Sequence, residues 1–287
     1  MSATPSRERL FLRLDGDAPT APETTVPGGT LRDIAVPAAL RAIVAHVTAY
    51  EERFADGTET VERVVPDGAA RVLISLHGDA PSVLVAGAST QPAVVRMRGH
   101  VHGLSVTLRP GATRALLGTP ADALAGEVIP WEQLAPAAHR ELPAALAMLP
   151  DAAARIAHAL DALQALQRAT RRDEQRLLDR ATRHLAHSTD RRPVRALATE
   201  LSLSERRVQQ LFATHLGLTP SAWRRLQRVH GAIRLLRARA APEWSRLALH
   251  AGYYDQAHFI NDFRAHVGLT PGQFRARIAD SSNPGAG

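Results

Sequence analysis

Between residues 64 and 108, short apolar runs alternate with turn signals. Val64-Val65 precedes Pro66-Asp67-Gly68, and runs follow at 71–76, 83–85, 93–97 and 104–108, the last stopped by Arg109-Pro110-Gly111. Five or more strands of this length predict a small β-barrel or sandwich. Upstream, Leu40, Ile43, Val44 and Val47 fall at helical spacing and predict one helix over 38–53. Residues 1–30, with Pro19, Pro22, Pro27 and Gly28-Gly29, read as a loop-rich lead-in.

Beyond residue 112 the period changes. Residues 112–117 read as a short helix, and 142–167 as helix broken once at Pro150. Ile156, Leu160, Leu163 and Leu166 form one apolar stripe, which either pairs with its copy in a dimer or covers the strands of its own chain. A charged stretch, 168–174, leads into an amphipathic helix over 175–187. The fold class expected is α+β in two domains, a β-rich N-terminal one with helices and an all-α C-terminal one. The domain limits expected are 1–150 for the first, 151–172 for a linker helix region, 173–278 for the second and 279–287 for a disordered tail.

One block of the helical half occurs twice, 51 positions apart. Leu211-Phe212-Ala213-Thr214-His215-Leu216-Gly217-Leu218-Thr219-Pro220 returns as Asp262-Phe263-Arg264-Ala265-His266-Val267-Gly268-Leu269-Thr270-Pro271. Each copy follows a short small-residue helix, a tight turn and a polar helix start, the layout of a helix-turn-helix. In the first unit, 194–200 is the leading helix, Leu201-Ser202-Leu203 the turn and Ser204 the N-cap of the second helix. In the second unit, 245–251, Gly252-Tyr253-Tyr254 and Asp255 take these roles. Val208, Leu211, Phe212, Phe259 and Phe263 are expected to face the core. Arg206, Arg207, Gln209 and Gln210 are then left outward on the first unit, and Gln256, Ala257, Ile260, Asn261 and Arg264 on the second. Arg pairs bidentately with guanine and Gln or Asn with adenine, while Ala and Ile suit thymine methyls. These nine residues are the candidate DNA contacts. Between the units, 220–237 reads as one strong helix; 18 residues at about 1.5 Å each reach about 27 Å, which suits two successive major grooves on one face of a duplex.

Charge sharpens this picture. All 35 basic residues are Arg, and the chain carries a net +7. Residues 191–278 hold 15 Arg against 5 carboxylates, a net of +10, so the remainder sums to −3. Positive charge gathered on one domain is what a polyanionic partner requires. Cysteine is absent, which excludes disulfides, thiolate metal sites and thiol nucleophiles. The first nine residues lack the apolar core of a signal peptide and no run of 18 apolar residues occurs, so no membrane association and a cytoplasmic location are expected.

Residues 173–278 closely resemble the DNA-binding domain of the AraC/XylS transcriptional regulators. The second head of that family reads Gly-Phe-x-Asp-x-Ser-x-Phe, then Phe-Lys and Gly-x-(Thr/Ser)-Pro. Here it is Gly252-Tyr253-Tyr254-Asp255-Gln256-Ala257-His258-Phe259, then Phe263-Arg264 and Gly268-Leu269-Thr270-Pro271, ending in Phe274-Arg275. Tyr253, Ala257 and Arg264 depart from the pattern, and Ala257 lacks the hydroxyl usual there. The resemblance implies seven helices, binding to double-stranded promoter DNA and control of transcription, with RNA polymerase as partner.

More weakly, Pro66-Asp67-Gly68, Ala86-Gly87, Arg109-Pro110-Gly111-Ala112 and Leu117-Gly118-Thr119-Pro120 are similar to a cupin-like sensor domain attached to such regulators. That likeness implies an unidentified small-molecule effector, or homodimerisation, at the N-terminal half. Arg96, Arg98, His100 and His102 would share one side of an ideal strand, with His46 and His77 able to approach, but Gly99 and Gly103 interrupt it. No metal, cofactor or catalytic residue is expected. Nucleophile-elbow, phosphate-loop and dinucleotide motifs are absent, so enzymatic function has no support. The alternative function is an architectural DNA-binding protein free of effector control.

Overall fold

The computed structural model describes residues 8–14, 16–18, 24–77, 80–168, 172–188, 190, 192–237 and 243–281. The N-terminal domain is built on two sheets. The larger has six strands, β2 (Leu31–Ile34), β3 (Val44–Arg53), β5 (Arg71–Ser75), β6 (Ser82–Ala86), β8 (His100–Leu108) and β9 (Val128–Pro130), in the order β2-β3-β8-β5-β6-β9 and antiparallel throughout. The smaller pairs β1 (Arg9–Phe11) in parallel with β4 (Glu59–Val64), and β4 antiparallel with β7 (Ala93–Arg98). Alternation does the sorting: Val72 and Ile74 of β5, Val83 and Val85 of β6 and Leu104 and Val106 of β8 point inward, while Leu73, Leu84 and Ser105 between them are less buried.

Helices close this core. α1 (Ala112–Leu117) is followed by a 3-10 turn, Ala121–Leu124, and then by α2 (Trp131–Leu134), α3 (Leu142–Ala147) and α4 (Ala152–Leu166). Leu160, Leu163 and Leu166 are buried in the same apolar cluster as the strands, with Ile156 packed at its margin. The stripe on α4 therefore covers its own chain and is not available to pair with a second copy.

Three expectations fail here. Residues 38–53 are not one helix: only Ala38–Leu40 forms a 3-10 turn, 41–43 turn the chain, and β3 takes 44–53. Val44, Val47 and Thr48 are β-branched, and β3 finds partners on both edges, β2 and β8, so pairing outweighs a four-residue helical coincidence. The lead-in contains β1, whose parallel partner lies some fifty residues away and leaves no local signature. Residues 279–281, expected in the tail, belong to the last helix, α11 (Pro271–Ser281), while 282–287 lie outside the described residues. Much of the lead-in, including Pro19 and Pro22, also lies outside them.

The C-terminal domain is all helix: α5 (Arg172–His187), α6 (Pro193–Glu200), α7 (Glu205–Leu216), α8 (Pro220–Arg237), α9 (Trp244–His250), α10 (Gln256–Val267) and α11. With the N-terminal domain this makes the two-domain α+β architecture expected. The domains share apolar surface. Leu10, Leu12, Leu14 and Val65 are buried in one cluster with Val229, Ile233, Phe263 and Phe274. The Gly111 amide donates to the carbonyl of His215 at 2.7 Å, and the His230 ring nitrogen Nε2 lies 2.9 Å from the carbonyl oxygen of Pro66. Gly217 ends α7 at φ +73°; a Cβ there would stand 2.7 Å from the Ala121 carbonyl oxygen, so only glycine allows the approach.

Candidate nucleic-acid interface

Both repeats form the expected helix-turn-helix. In the first, α6 and α7 pack over Leu197, Val208, Leu211 and Phe212, together with Leu178 and Leu185 of α5. In the second, α9 and α10 pack over aromatic rings: Phe259 and Phe263 lie 5.6 Å apart between centroids, Phe263 and Phe274 5.3 Å, and Tyr253 and Phe259 5.3 Å. Offset and edge-on contacts of this kind fix the angle at which a helix leaves its core.

The turns solve one problem with different lengths. After α6, Ser202 enters the left-handed region at φ 54°, and the Leu203 amide returns to the Ala198 carbonyl at 2.8 Å. After α9, Gly252 does the same at φ 80°, and the Tyr253 amide returns to Ala248 at 2.9 Å. One further residue, Tyr254, then precedes the N-cap and is 89% exposed. The caps are alike in kind. Ser204 Oγ accepts from the Arg207 amide at 3.2 Å, and Asp255 Oδ1 accepts from the His258 amide at 2.7 Å. Gly217 and Gly268 close both recognition helices in the left-handed region.

With the inward faces fixed, the outward ones follow from the 3.6-residue period. Arg206, Arg207, Gln209 and Gln210 are exposed along α7, as are Gln256, Ala257, Asn261 and Arg264 along α10. Ile260 departs from this set: it is half-buried and packs against the core of the second head, so only its margin reaches the outer face. Gln256 Oε1 accepts a hydrogen bond from the Ser245 hydroxyl at 3.2 Å, which ties it to α9. The N-terminal domain touches the end of α7 through Gly111 and Ala121, α8 through Pro66 and the core of the second head through Leu10, Leu12, Leu14 and Val65, while the eight outward residues stay exposed.

α8 holds the heads together. Leu226, Val229, Ala232, Ile233 and Leu236 are buried, whereas Arg225 and Arg234 are exposed. Arg228 clasps the second head: its guanidinium donates to the Gly252 carbonyl at 3.1 Å and to Asp262 at 3.2 Å, and lies 4.2 Å over the Tyr253 ring. Burial pushes the Tyr253 hydroxyl well above its usual titration range. The burial of His230, 3% exposed between α8 and the N-terminal domain, pulls its titration down to about 4. His215, at the end of α7, is likewise lowered by burial, although Glu174 sits 3.1 Å away and opposes the shift.

The basic residues that approach the heads from outside the recognition helices were not in the candidate set. Arg192 and Arg195, at the start of α6, face a groove that also receives Arg224, Arg225 and Arg228. An arginine pair beside a proline helix start was the available signal, and it was legible at Arg191-Arg192-Pro193. His100 and His102 of the β domain stack, with 4.5 Å between ring centroids, while His77 Nδ1 lies 2.8 Å from the Ser75 hydroxyl. Gly99, at φ 61°, breaks β7 from β8, so Arg96 and Arg98 pair with Glu59, while His100 meets Glu51 at 3.1 Å. Among the described residues, no three His, Asp or Glu side chains are grouped to hold a metal ion. Nor, among them, is any helix long and apolar enough to cross a membrane.

Known proteins match this chain in two places. A family model described as a helix-turn-helix domain covers residues 197–277, and a domain of unknown function covers 32–130. The arabinose operon regulatory protein of Escherichia coli (strain K12) is 31% identical over 100 residues, 35% of this chain and 33% of that protein. The match therefore spans about a third of the relative's length. Among solved structures, the chain is similar to the C-terminal domain of AraT, a response regulator from Geobacillus stearothermophilus, at 22% identity and TM-score 0.32, over 37% of this chain and 85% of that one. It is also similar to ToxT from Vibrio cholerae, at 8% identity and TM-score 0.42, over 80% and 98%. On the matched residues and the paired heads, residues 197–277 of this chain form a helix-turn-helix domain, similar to part of the arabinose operon regulatory protein.

Proposed function

We propose that the chain is a transcriptional regulator that reads double-stranded DNA with both heads, α7 and α10 entering successive major grooves on one face of the duplex. The observation that carries this is the orientation of the heads. Their polar faces, with Arg206, Gln209 and Gln210 on one and Gln256 and Asn261 on the other, are exposed while their backs are buried against α8 and the N-terminal domain. Two amide side chains and an arginine on α7 offer more hydrogen bonds than α10, where Ala257 and the margin of Ile260 offer apolar contact to thymine. Arg207 and Arg264 supply phosphate contacts that position each helix.

The N-terminal domain acts on the heads through the surfaces it shares with them. A small effector or a protein partner that strains this domain shifts the ends of α7 and α8 that rest on it. Contact with RNA polymerase and assembly as a homodimer belong to the same reading, the dimer using a surface other than the α4 stripe. The test is a binding-site selection from random duplexes. Gln209→Ala or Gln210→Ala should relax base preference over one half of the selected site. Equal weakening for every sequence would contradict the assignment, and retardation that is sequence-independent and lost at modest salt would favour an architectural role instead.

A further inference from the structure

Between the two heads runs an open groove of about 550 Å³. Glu205, the first residue of α7, and His258, in the first turn of α10, both line it, so it joins the N-terminal ends of the two recognition helices. Its floor and walls carry Arg192, Arg195, Arg224, Arg225 and Arg228, together with Pro193 and Pro220, which open α6 and α8. The first amides of α6 have no side-chain cap. Unpaired N–H groups and the positive end of a helix dipole add to the guanidinium charge there.

The five arginines differ in what satisfies them. Arg228 is held by Asp262, and Arg224 donates to the Ser188 carbonyl at 3.2 Å with Asp190 nearby. Arg192, Arg195 and Arg225 are exposed and have no carboxylate within ion-pair distance among the described residues. Glu205 is the one carboxylate among the residues lining the groove, although Asp190 and Glu200 border the shallow depression on the other side of Arg192 and Arg195. Three like charges left together in one groove repel each other until an anion enters.

We propose that this groove is a seat for the DNA backbone, in which Arg192, Arg195 and Arg225 each engage a phosphate of the strands flanking the minor groove between the two major-groove segments. The inference rests on the two-groove reading above. When α7 and α10 enter successive major grooves, the duplex surface that faces the space between them is the intervening minor groove with its two backbones. The guanidinium fork matches phosphate oxygens, and the contact carries no base information. The groove thus supplies affinity and fixes the register of both heads at once, while the helices supply discrimination.

The test uses the full chain and two duplexes, one recovered by selection from a random library and one of mixed sequence. Affinities are measured across a salt series. Replacing Arg192, Arg195 and Arg225 together by Gln removes three phosphate contacts, so the slope of log affinity against log salt should flatten by about 2.7. Both duplexes should weaken by the same factor, on the order of a hundredfold at 0.15 M salt, with their ratio unchanged. The triple Arg→Lys protein should keep the wild-type slope. Glu205→Gln, which leaves the arginines in place, should tighten both duplexes equally and covers the case in which the triple Gln protein fails to fold. An unchanged slope with preference retained would overturn the phosphate seat and leave the heads' role standing. A changed ratio between duplexes would overturn its sequence independence. Wild-type protein with no preference for any duplex would instead defeat the two-head reading itself.

Discussion

Acidification should loosen the seam between the N-terminal domain and α8, and His230 is the group that responds. Its ring is enclosed between α8 and Pro66, with Nε2 donating to that carbonyl at 2.9 Å in the neutral tautomer. Burial is the leading cause that holds its titration at about 4, and the Pro66 hydrogen bond and Asp67 oppose it without overcoming it. In the unfolded chain a histidine titrates near 6.5. Between those values the unfolded state binds the extra proton, so stability is full above about pH 6.5 and falls as pH drops toward 4. At pH 5 the loss from this one group works out at about 2 kcal/mol relative to neutral pH. His46, lowered to about 4 chiefly by burial with Arg13 and Arg71 adding to it, contributes in the same direction. Urea unfolding of wild-type protein and of His230→Gln, followed at pH 7 and pH 5, separates the two. Glutamine keeps a donor for Pro66 but cannot titrate, so its stability difference between the two pH values should be smaller by about 2 kcal/mol. An identical pH dependence in both proteins would refute the argument.

Two further outcomes follow from the heads. Phe263→Ala removes the ring that touches both Phe259 and Phe274 and should cost about 3–5 kcal/mol by thermal or urea unfolding, with loss of binding to any duplex. Asp255→Ala deletes the cap on the His258 amide and should cost about 1 kcal/mol, whereas Asp255→Asn should cost far less, as read from unfolding midpoints.

How much of this was legible in the sequence depends on how local each signal is. The caps, turns and glycine stops of both heads follow from neighbouring residues, and the limits of α1 and α8 were read correctly from period and flanking Pro or Gly. Strands between strong turn signals were legible for the same reason. β3 was misread because its identity depends on β2 and β8 and not on its own spacing. β1 was missed because three residues pair with a distant strand, and Leu10, like Leu12 and Leu14 after it, takes its meaning from Phe263 and Val229 on the far side of the chain. At the candidate interface, period alone placed eight of the nine outward residues. Ile260 tilted inward because the aromatic core beside it left apolar surface to cover. The interdomain hydrogen bond of His230 and the groove between the heads are products of tertiary packing, so no window of sequence displays them.

The central claim is that two heads on one rigid helix grip one face of a duplex together. Hydroxyl-radical footprinting of a selected site measures this directly. The account predicts two protected patches on the same face, their centres one helical turn, about 10 base pairs, apart, and both lost together when Phe263 is truncated. Protection over a single turn, unchanged by that truncation, would contradict it.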